Sequence, residues 1–201
     1  MAASDEIRRK FVVGLGNPGR RYHGTRHNAG FDVLEILQRR WNLGEPKEAF
    51  GGLLWDTRFG RFDEEPVRVA LLAPQTFMNC SGQPTAKLLS FYKGQIEDVL
   101  IVVDDYALDV GRLRIRAQGT SGGHNGLKDI ARHLGTDNYA RLRVGVGPCP
   151  GVMDSADFVL GKFAKNEIEN IGVAEQYAAD AVEAWLTQDI HAVMERYNRA
   201  P

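Results

Sequence analysis

One imidazole, one carboxylate and several uncharged amides are the side chains of this sequence that could act together on a substrate. An imidazole exchanges a proton near neutral pH, and an amide donates or accepts hydrogen bonds without carrying charge. Taken singly, each has a structural explanation, because Asn17 precedes Pro18 as turn residues do and Asp104 could end a strand. Together they follow successive predicted strands, whose carboxyl ends form the edge at which open α/β sheets place their sites. The candidates are His27, Asp104, Asn17, Asn28, Asn79 and Asn125.

The elements that must position these residues begin with the stretch at 11–30. A β-branched run, Phe11-Val12-Val13, leads into a polar loop with three glycines and a proline, and a helical apolar pattern follows. The pattern predicts a buried strand at 10–15 and a helix at 29–41. A sheet fixes such a loop in position while its side chains stay open to solvent.

Further strands and helices alternate along the chain. The pattern predicts a hairpin with strands at 52–59 and 67–73, and the aliphatic run at 99–103 predicts a central strand. At 111–117 and 141–146, apolar residues alternate with arginines, so one face of each strand is expected to be core and the other a row of guanidinium groups. Helices are expected up to about Tyr92, at 127–134 and at 166–186, followed by a short terminal helix, whereas 154–163 is less regular.

These elements predict an α/β fold, a single-domain three-layer sandwich in which a twisted mixed β-sheet is surrounded by helices. The order of the strands does not follow from the sequence. The whole chain, 1–201, is read as one domain because no linker-like segment divides it, with 1–9 as a disordered N-terminal extension. No apolar run approaches the length of a membrane span or a signal peptide, so we expect a cytoplasmic protein. Cys80 and Cys149 lack metal-type spacing and suit a reducing compartment.

Charge is distributed unevenly along the chain. Residues 106–147 contain seven basic and three acidic residues, a local charge of +4, whereas residues 151–201 contain four basic and nine acidic residues, a local charge of -5. This asymmetry points to a polyanionic partner, although ordinary solvated faces explain it about as well when it is considered alone.

Two motifs suggest other chemistry and are weak. Gly14, Gly16 and Gly19 satisfy G-x-G-x-x-G, but Pro18 and the polar run that follows delay the helix on which a dinucleotide pyrophosphate would rest. His23 and His27 have the spacing of a metal pair, yet Gly24 stands where H-E-x-x-H needs its glutamate. No G-x-S-x-G elbow is present, so a covalent acyl-enzyme is not indicated.

Five segments, in this order and spacing, carry a family resemblance: GLGNPGRRYHGTRHNAGF, PQTFMNCSG, VVDD, GTSGGHNGLKDI and RLRVGVG. The sequence resembles bacterial peptidyl-tRNA hydrolases from about residue 10 to residue 197. The resemblance implies a monomeric α/β enzyme, without metal, cofactor or obligate protein partner, that cleaves the ester between a peptide and the 3'-terminal ribose of tRNA. Its partner would be peptidyl-tRNA, contacted at the acceptor stem and 3' end.

The resemblance also implies roles for individual residues. His27 would activate water, Asp104 would hold His27 in its basic form, and Asn17 would distinguish a blocked amino acid from a free one. Arg116 and Arg143 would clamp tRNA phosphate. The residues that would line the site and contact the peptide or acceptor end are Tyr22, Phe77, Asn79 and Asn125, with Met78 and Asn28 in supporting positions.

The sequence departs from the family pattern at several positions, and two other interpretations stand beside the resemblance. Tyr106-Ala107 stands where relatives often carry Leu-Asp, Ser121 replaces a common glycine or histidine, and Arg114 and Arg116 replace lysines. None of these changes touches the expected base. One alternative is an RNA-binding relative that has kept the fold and lost turnover, and a second, a nucleotide-dependent oxidoreductase, depends only on the glycine pattern.

Overall fold

The computed structural model describes residues 9–60 and 65–199. Its strands are β1 (Arg9–Gly14), β2 (Lys47–Ala49), β3 (Gly52–Phe59), β4 (Val67–Pro74), β5 (Val99–Asp109), β6 (Leu113–Arg116) and β7 (Ala140–Gly147). Its α-helices are α1 (Ala29–Arg40), α2 (Gly82–Tyr92), α3 (Asn125–Leu134), α4 (Ser155–Leu160), α5 (Ile168–Thr187) and α6 (Ile190–Tyr197). Within the described residues, the strands form one mixed sheet in the order β2-β3-β4-β1-β5-β7-β6.

The centre of the sheet is parallel. β1 pairs with β4 on one side and β5 on the other, and β5 pairs with β7, all in parallel. Since parallel strands end at the same edge, the segments that follow β1, β4 and β5 converge there. β2, β3 and β6 pair antiparallel, which makes the sheet mixed as the sequence predicts.

Both faces of the sheet are covered, and this gives the three layers. Along β1 and β5, Val12 and Leu100 face the core with α1, α5 and α6, whereas their neighbours Val13 and Ile101 face the core with α2 and α3. All four side chains are fully buried. Because side chains alternate across a strand, the same strand contributes to both cores. Burial of each such side chain stabilises the fold by about 1.5–3 kcal/mol.

A glycine brings α1 close to the sheet. A Cβ atom on Gly30 would lie 2.4 Å from the backbone nitrogen of Leu15 and from the carbonyl oxygen of Val102, so only glycine fits. The first turn of α1, and the residues just before it, therefore lie next to the end of β5.

Several boundaries differ from the sequence predictions. The hairpin of β3 and β4 is confirmed, but β2 was not predicted, and α4 is helical where the sequence predicted a less regular segment. β5 continues past residue 103 to Asp109, because Asp104 and Asp105 still pair with β7. Residues 1–8 of the expected extension lie outside the described residues, whereas Arg9 belongs to β1, so disorder was the wrong prediction for that residue.

The open edge of β6 is covered by a side chain from the end of the chain. Oδ1 of Asn198 accepts from the backbone N–H of Ile115 at 2.6 Å, and its Nδ2 donates to the carbonyl oxygen of the same residue at 3.1 Å. The amide thus satisfies both backbone groups that would otherwise face outward. In the part of the chain that the structure describes, no helix is both long and apolar enough to cross a bilayer.

Candidate active site

His27 and Asp104 come from distant parts of the chain and meet at the carboxyl edge of the sheet. His27 lies in a 3-10 turn, Arg26–Asn28, that joins the loop after β1 to α1, and Asp104 lies within β5 opposite Val144. Nδ1 of His27 is 2.8 Å from one carboxylate oxygen of Asp104 and 3.0 Å from the other. A carboxylate only accepts, so Nδ1 carries the proton and Nε2 is the basic nitrogen of the ring.

A second imidazole contacts the same carboxylate. Nε2 of His124 lies 3.0 Å from Oδ1 of Asp104, and the two imidazole rings have their centroids 5.2 Å apart. The backbone N–H of Leu127 donates to Nδ1 of His124 at 3.4 Å and caps the start of α3. Because Nδ1 accepts, Nε2 carries the proton of His124 and donates it to the carboxylate.

Asp104 remains an anion in this surrounding. Its burial, at 1% exposure, by itself raises the pKa of the carboxyl group, but the imidazoles of His124 and His27 lower the pKa by more. The resulting pKa lies well below the usual range of an aspartate. The carboxylate is therefore available at neutral pH to orient both rings.

The same three side chains have the spacing of a metal site. One ligand atom from each of His27, Asp104 and His124 lies within 4.8 Å of the others. However, an imidazole that binds a metal through Nε2 keeps its proton on Nδ1 and donates it outward. The N–H of Leu127 points at Nδ1 of His124 as a donor, which opposes that tautomer. The arrangement fits two hydrogen-bonded imidazoles better than a metal centre.

Asn17 is fixed in the loop after β1 by its own backbone and by the neighbouring loop. Its Oδ1 accepts from the backbone N–H of Met78 at 2.8 Å. Its backbone N–H donates to Oδ1 of Asn28 at 2.9 Å, and Nδ2 of Asn28 donates back to its carbonyl oxygen at 3.1 Å. With Oδ1 occupied, Nδ2 of Asn17 is the group that can donate to a substrate.

A cleft of about 290 Å³ brings most of the predicted site residues together. It is lined by Asn17, His27, Phe77, Met78, Asn79, Asp104 and Asn125, together with Tyr106, Gly123, His124 and the α4 residues Ser155, Ala156, Val159 and Leu160. Phe77 is 53% exposed and offers an aromatic face to a ligand. The ring of Tyr22 packs edge-on against Phe77, with the centroids 6.4 Å apart, so Tyr22 supports the wall of the cleft rather than lining it.

The predicted phosphate-binding arginines lie in a neighbouring groove, which we call the arginine groove. It is lined by Arg114, Arg116, Arg141, Arg143, Asp105, Ala107 and loop residues between 118 and 122. Arg116 is exposed, whereas the guanidinium of Arg143 is 3.1 Å from the carboxylate of Asp105. Arg141 and Arg143 lie on the same face of β7, as the alternation predicts, but Arg141 is buried there, at 1% exposure. Asp105 directly follows Asp104 and connects the groove to the cleft.

Two parts of the cleft were not singled out from the sequence. His124 lies in the glycine-rich block used for the family resemblance, and its position next to a predicted helix start could have marked it as a polar group held at the same edge. The wall formed by α4 had no such signal, because its segment shows no clear periodicity.

An imidazole base oriented by a buried carboxylate, beside amide-lined and arginine-lined surfaces, defines an α/β protein equipped for general-base catalysis on an anionic substrate. The family model described as peptidyl-tRNA hydrolase matches residues 11–201. The peptidyl-tRNA hydrolase of Rhodopirellula baltica is 44% identical over 191 residues, which cover 95% of this chain and 98% of that protein. That of Lachnospira eligens is 43% identical over 187 residues, with 93% and 98% covered. The crystal structure of peptidyl-tRNA hydrolase from Acinetobacter baumannii is similar with a TM-score of 0.84 and 35% identity, covering 98% of both chains. The chain belongs to the peptidyl-tRNA hydrolase family.

Proposed function

We propose that this protein hydrolyses the ester bond between a peptide, or an N-blocked amino acid, and the 3'-terminal ribose of tRNA. The observation that carries the proposal is the contact between His27 and Asp104, at 2.8 Å, inside a cleft of a chain that belongs to this family. Release of peptides from tRNA in this way would return the tRNA to translation.

His27 is the general base of the proposed reaction. Its Nε2 removes a proton from water as the oxygen attacks the ester carbonyl carbon, and the anionic Asp104 stabilises the imidazolium that forms. The proton then passes to the 3' oxygen of the ribose as the ester bond breaks. A base of this kind accelerates the reaction about 10²- to 10⁴-fold, which corresponds to about 3–5 kcal/mol.

Two amides that line the cleft, those of Asn79 and Asn125, are proposed to bind the carbonyl oxygen while it becomes negative. Asn79 lies in the 3-10 turn Met78–Cys80, and Asn125 is the first residue of α3. Both side chains are therefore carried by backbone with regular secondary structure. Neutral donors stabilise a developing oxyanion without adding a charge that would compete for the proton. Either amide can serve this role.

Asn17 is proposed to read the blocked amino group. A peptidyl end presents an amide N–H and C=O, whereas a free aminoacyl end carries an ammonium group. Nδ2 of Asn17 can donate to the carbonyl oxygen of the peptide but not to an ammonium group, which only donates. Buried polar groups that stay unpaired make a site reject the wrong ligand.

The arginine groove is proposed to bind phosphate groups of the tRNA acceptor end. The groove lies next to the cleft, because Asp105 lines the groove and the preceding residue, Asp104, lines the cleft. Arg116 lies on the exposed face of β6, where its guanidinium can turn toward a phosphate. Arginine suits this task because its planar fork can contact two phosphate oxygens.

The alternative is an RNA-binding protein of the same fold without turnover. Incubation with N-acetylaminoacyl-tRNA and no added cofactor separates the two functions. The proposal expects release of free tRNA and the loss of that release on His27→Ala, because the alanine variant lacks the base but keeps the arginine groove. Binding of the substrate without hydrolysis by the parent protein would support the alternative.

A further inference from the structure

The loop between β6 and α3, residues 117–124, which we call the glycine loop, has little means of holding a fixed form by itself. Gly119, Gly122 and Gly123 have φ angles of 150°, 59° and 88°, and residues 118–120, 122 and 123 are exposed. Glycine has more backbone freedom than other residues, and exposed segments with few apolar contacts open easily. Something else must therefore restrict this loop.

Arg141 supplies that restriction from β7. Its Nη1 donates to the carbonyl oxygens of Gly119 and, at 3.2 Å, Thr120, and its Nη2 donates to those of Asp137 and, at 2.9 Å, Tyr139. The guanidinium also lies 4.5 Å from the centre of the Tyr139 ring. Burial lowers the pKa of Arg141, which reflects the cost of taking a charged group out of water. The side chain joins the glycine loop to the segment before β7.

Arg143 holds the next part of the same loop. Its Nη2 donates to the carbonyl oxygens of Thr120 at 3.2 Å and Ser121 at 3.0 Å. Two neighbouring arginines on one face of β7 thus bind three consecutive carbonyl groups of the loop, at residues 119–121. Like charges side by side repel, and the carbonyl oxygens, together with the carboxylate of Asp105 beside Arg143, offset that repulsion.

The fixed end of the loop carries a residue of the cleft. The backbone N–H of His124 donates to the carbonyl oxygen of Ser121 at 3.1 Å, and its ring contacts Asp104 at 3.0 Å. We propose that Arg141 is a positioning residue: by binding the carbonyl oxygens of Gly119 and Thr120, it holds the glycine loop in the form that sets His124 against Asp104. As far as catalysis is concerned, this inference rests on the proposed function.

A competing explanation is that α3, without Arg141, fixes the position of His124. Leu127 and Ile130 are fully buried, and the N–H of Leu127 donates to the His124 ring, so under this explanation the helix alone holds that residue. Arg141 would then contribute only to stability, and a folded variant should keep both its turnover and the state of its His124 ring.

Two variants with matched controls separate the explanations. Arg141→Lys keeps the positive charge but loses the planar guanidinium group, whose two terminal nitrogens bind the glycine loop and the segment before β7. Gly119→Ala strains the backbone at an exposed position, because its φ of 150° disfavours a side chain. Arg40→Lys, in a surface ion pair with Asp180, and Gly135→Ala, at a positive φ with open space around it, are the controls. Each protein is first checked for native folding by near-UV circular dichroism.

The measurements are kcat and KM for N-acetylaminoacyl-tRNA and the ¹⁵N shifts of the His124 ring, which report its tautomer. Arg141→Lys and Gly119→Ala should each lower kcat about 10- to 100-fold and shift the ring signals toward a mixture of tautomers, and any rise in KM reports the separate contribution of these positions to the arginine groove. The controls should match the parent in all three quantities.

A folded Arg141→Lys or Gly119→Ala protein with the kcat and His124 shifts of the parent would overturn the inference. If Arg141→Lys fails to fold, Gly119→Ala decides alone, because it changes an exposed loop residue and leaves the core intact. If the parent itself does not hydrolyse the substrate, the proposed function fails, and the ring shifts still test the position of His124.

Discussion

Replacing Asp104 by asparagine is the most informative change in the cleft because it alters hydrogen bonding at nearly constant size. Oδ1 of Asp104 accepts from both His27 and His124, and Oδ2 is also within 3.0 Å of Nδ1 of His27. An asparagine must place its NH₂ group at one of these two oxygen positions. With the NH₂ at the Oδ1 position, a donor faces the N–H of both His27 and His124; with the NH₂ at the Oδ2 position, the oxygen can still accept from both rings, but a donor stands 3.0 Å from Nδ1 of His27.

This conflict is relieved when His27 adopts the other tautomer. Nδ1 then accepts from the asparagine, Nε2 carries the proton, and the nitrogen that should receive a proton from water is no longer basic. We expect Asp104→Asn to lower kcat about 10²- to 10⁴-fold, the range of a lost general base, or about 3–5 kcal/mol. KM should change little, because the arginine groove is untouched.

The assay is release of tRNA from N-acetylaminoacyl-tRNA between pH 5 and pH 9 under steady-state conditions. Asp109→Asn is the control, since this carboxylate is exposed at the far end of the same strand. A value of kcat for Asp104→Asn within a factor of about ten of the parent, with an unchanged pH profile, would refute this account of the carboxylate.

Three further changes test other parts of the molecule. Asn17→Asp keeps an oxygen for the N–H of Met78 but removes the Nδ2 donor, so it should reduce discrimination between N-acetylaminoacyl-tRNA and free aminoacyl-tRNA with little change in melting temperature; unchanged discrimination would contradict the assigned role. Arg116→Ala and Arg143→Ala should each reduce the slope of log K against log salt for tRNA binding by about 0.7–0.9 for each phosphate group that the variant no longer neutralises, and an arginine whose removal leaves the slope unchanged does not bind phosphate. Asp32 has a pKa raised to about 7 by burial and by Glu35, so its contribution to stability is present below its unfolded pKa and is lost as the pH rises through about 7. Asp32→Asn should therefore stabilise the protein relative to the parent by about 1–2 kcal/mol at pH 8.5 and by much less at pH 4.5, measured by urea unfolding; equal gains at both pH values would contradict this reasoning.

The parts of the fold that sequence predicts best are those with strong periodicity. The aliphatic run at 99–103 and the alternation at 111–117 located their strands because side-chain burial sets both patterns. β2 could not be found this way, since a three-residue edge strand with Lys47 and Glu48 leaves no apolar pattern. The strand order depends on which elements pack together in space, and local sequence does not encode it.

The sequence predicted which residues form the candidate site better than it predicted how those residues are arranged in space. His27 and Asp104 are 77 positions apart, and the family pattern, rather than any spacing, linked them before the structure placed them in contact. Arg141 shows the limit of alternation as a guide. It occupies a polar position on β7, yet the glycine loop and the Tyr139 segment cover it, and neither has a regular pattern that would have predicted a cover.

The amide of Asn198 has a consequence for how the molecule behaves at high concentration. An uncovered edge strand is a template on which another chain can add a strand, the first step toward aggregates. At Ile115 both backbone groups are already occupied by a side chain that imitates one residue of such a strand. A truncation that removes Asn198 and the residues after it would expose this template. Such a truncation should lower solubility while turnover is still unchanged.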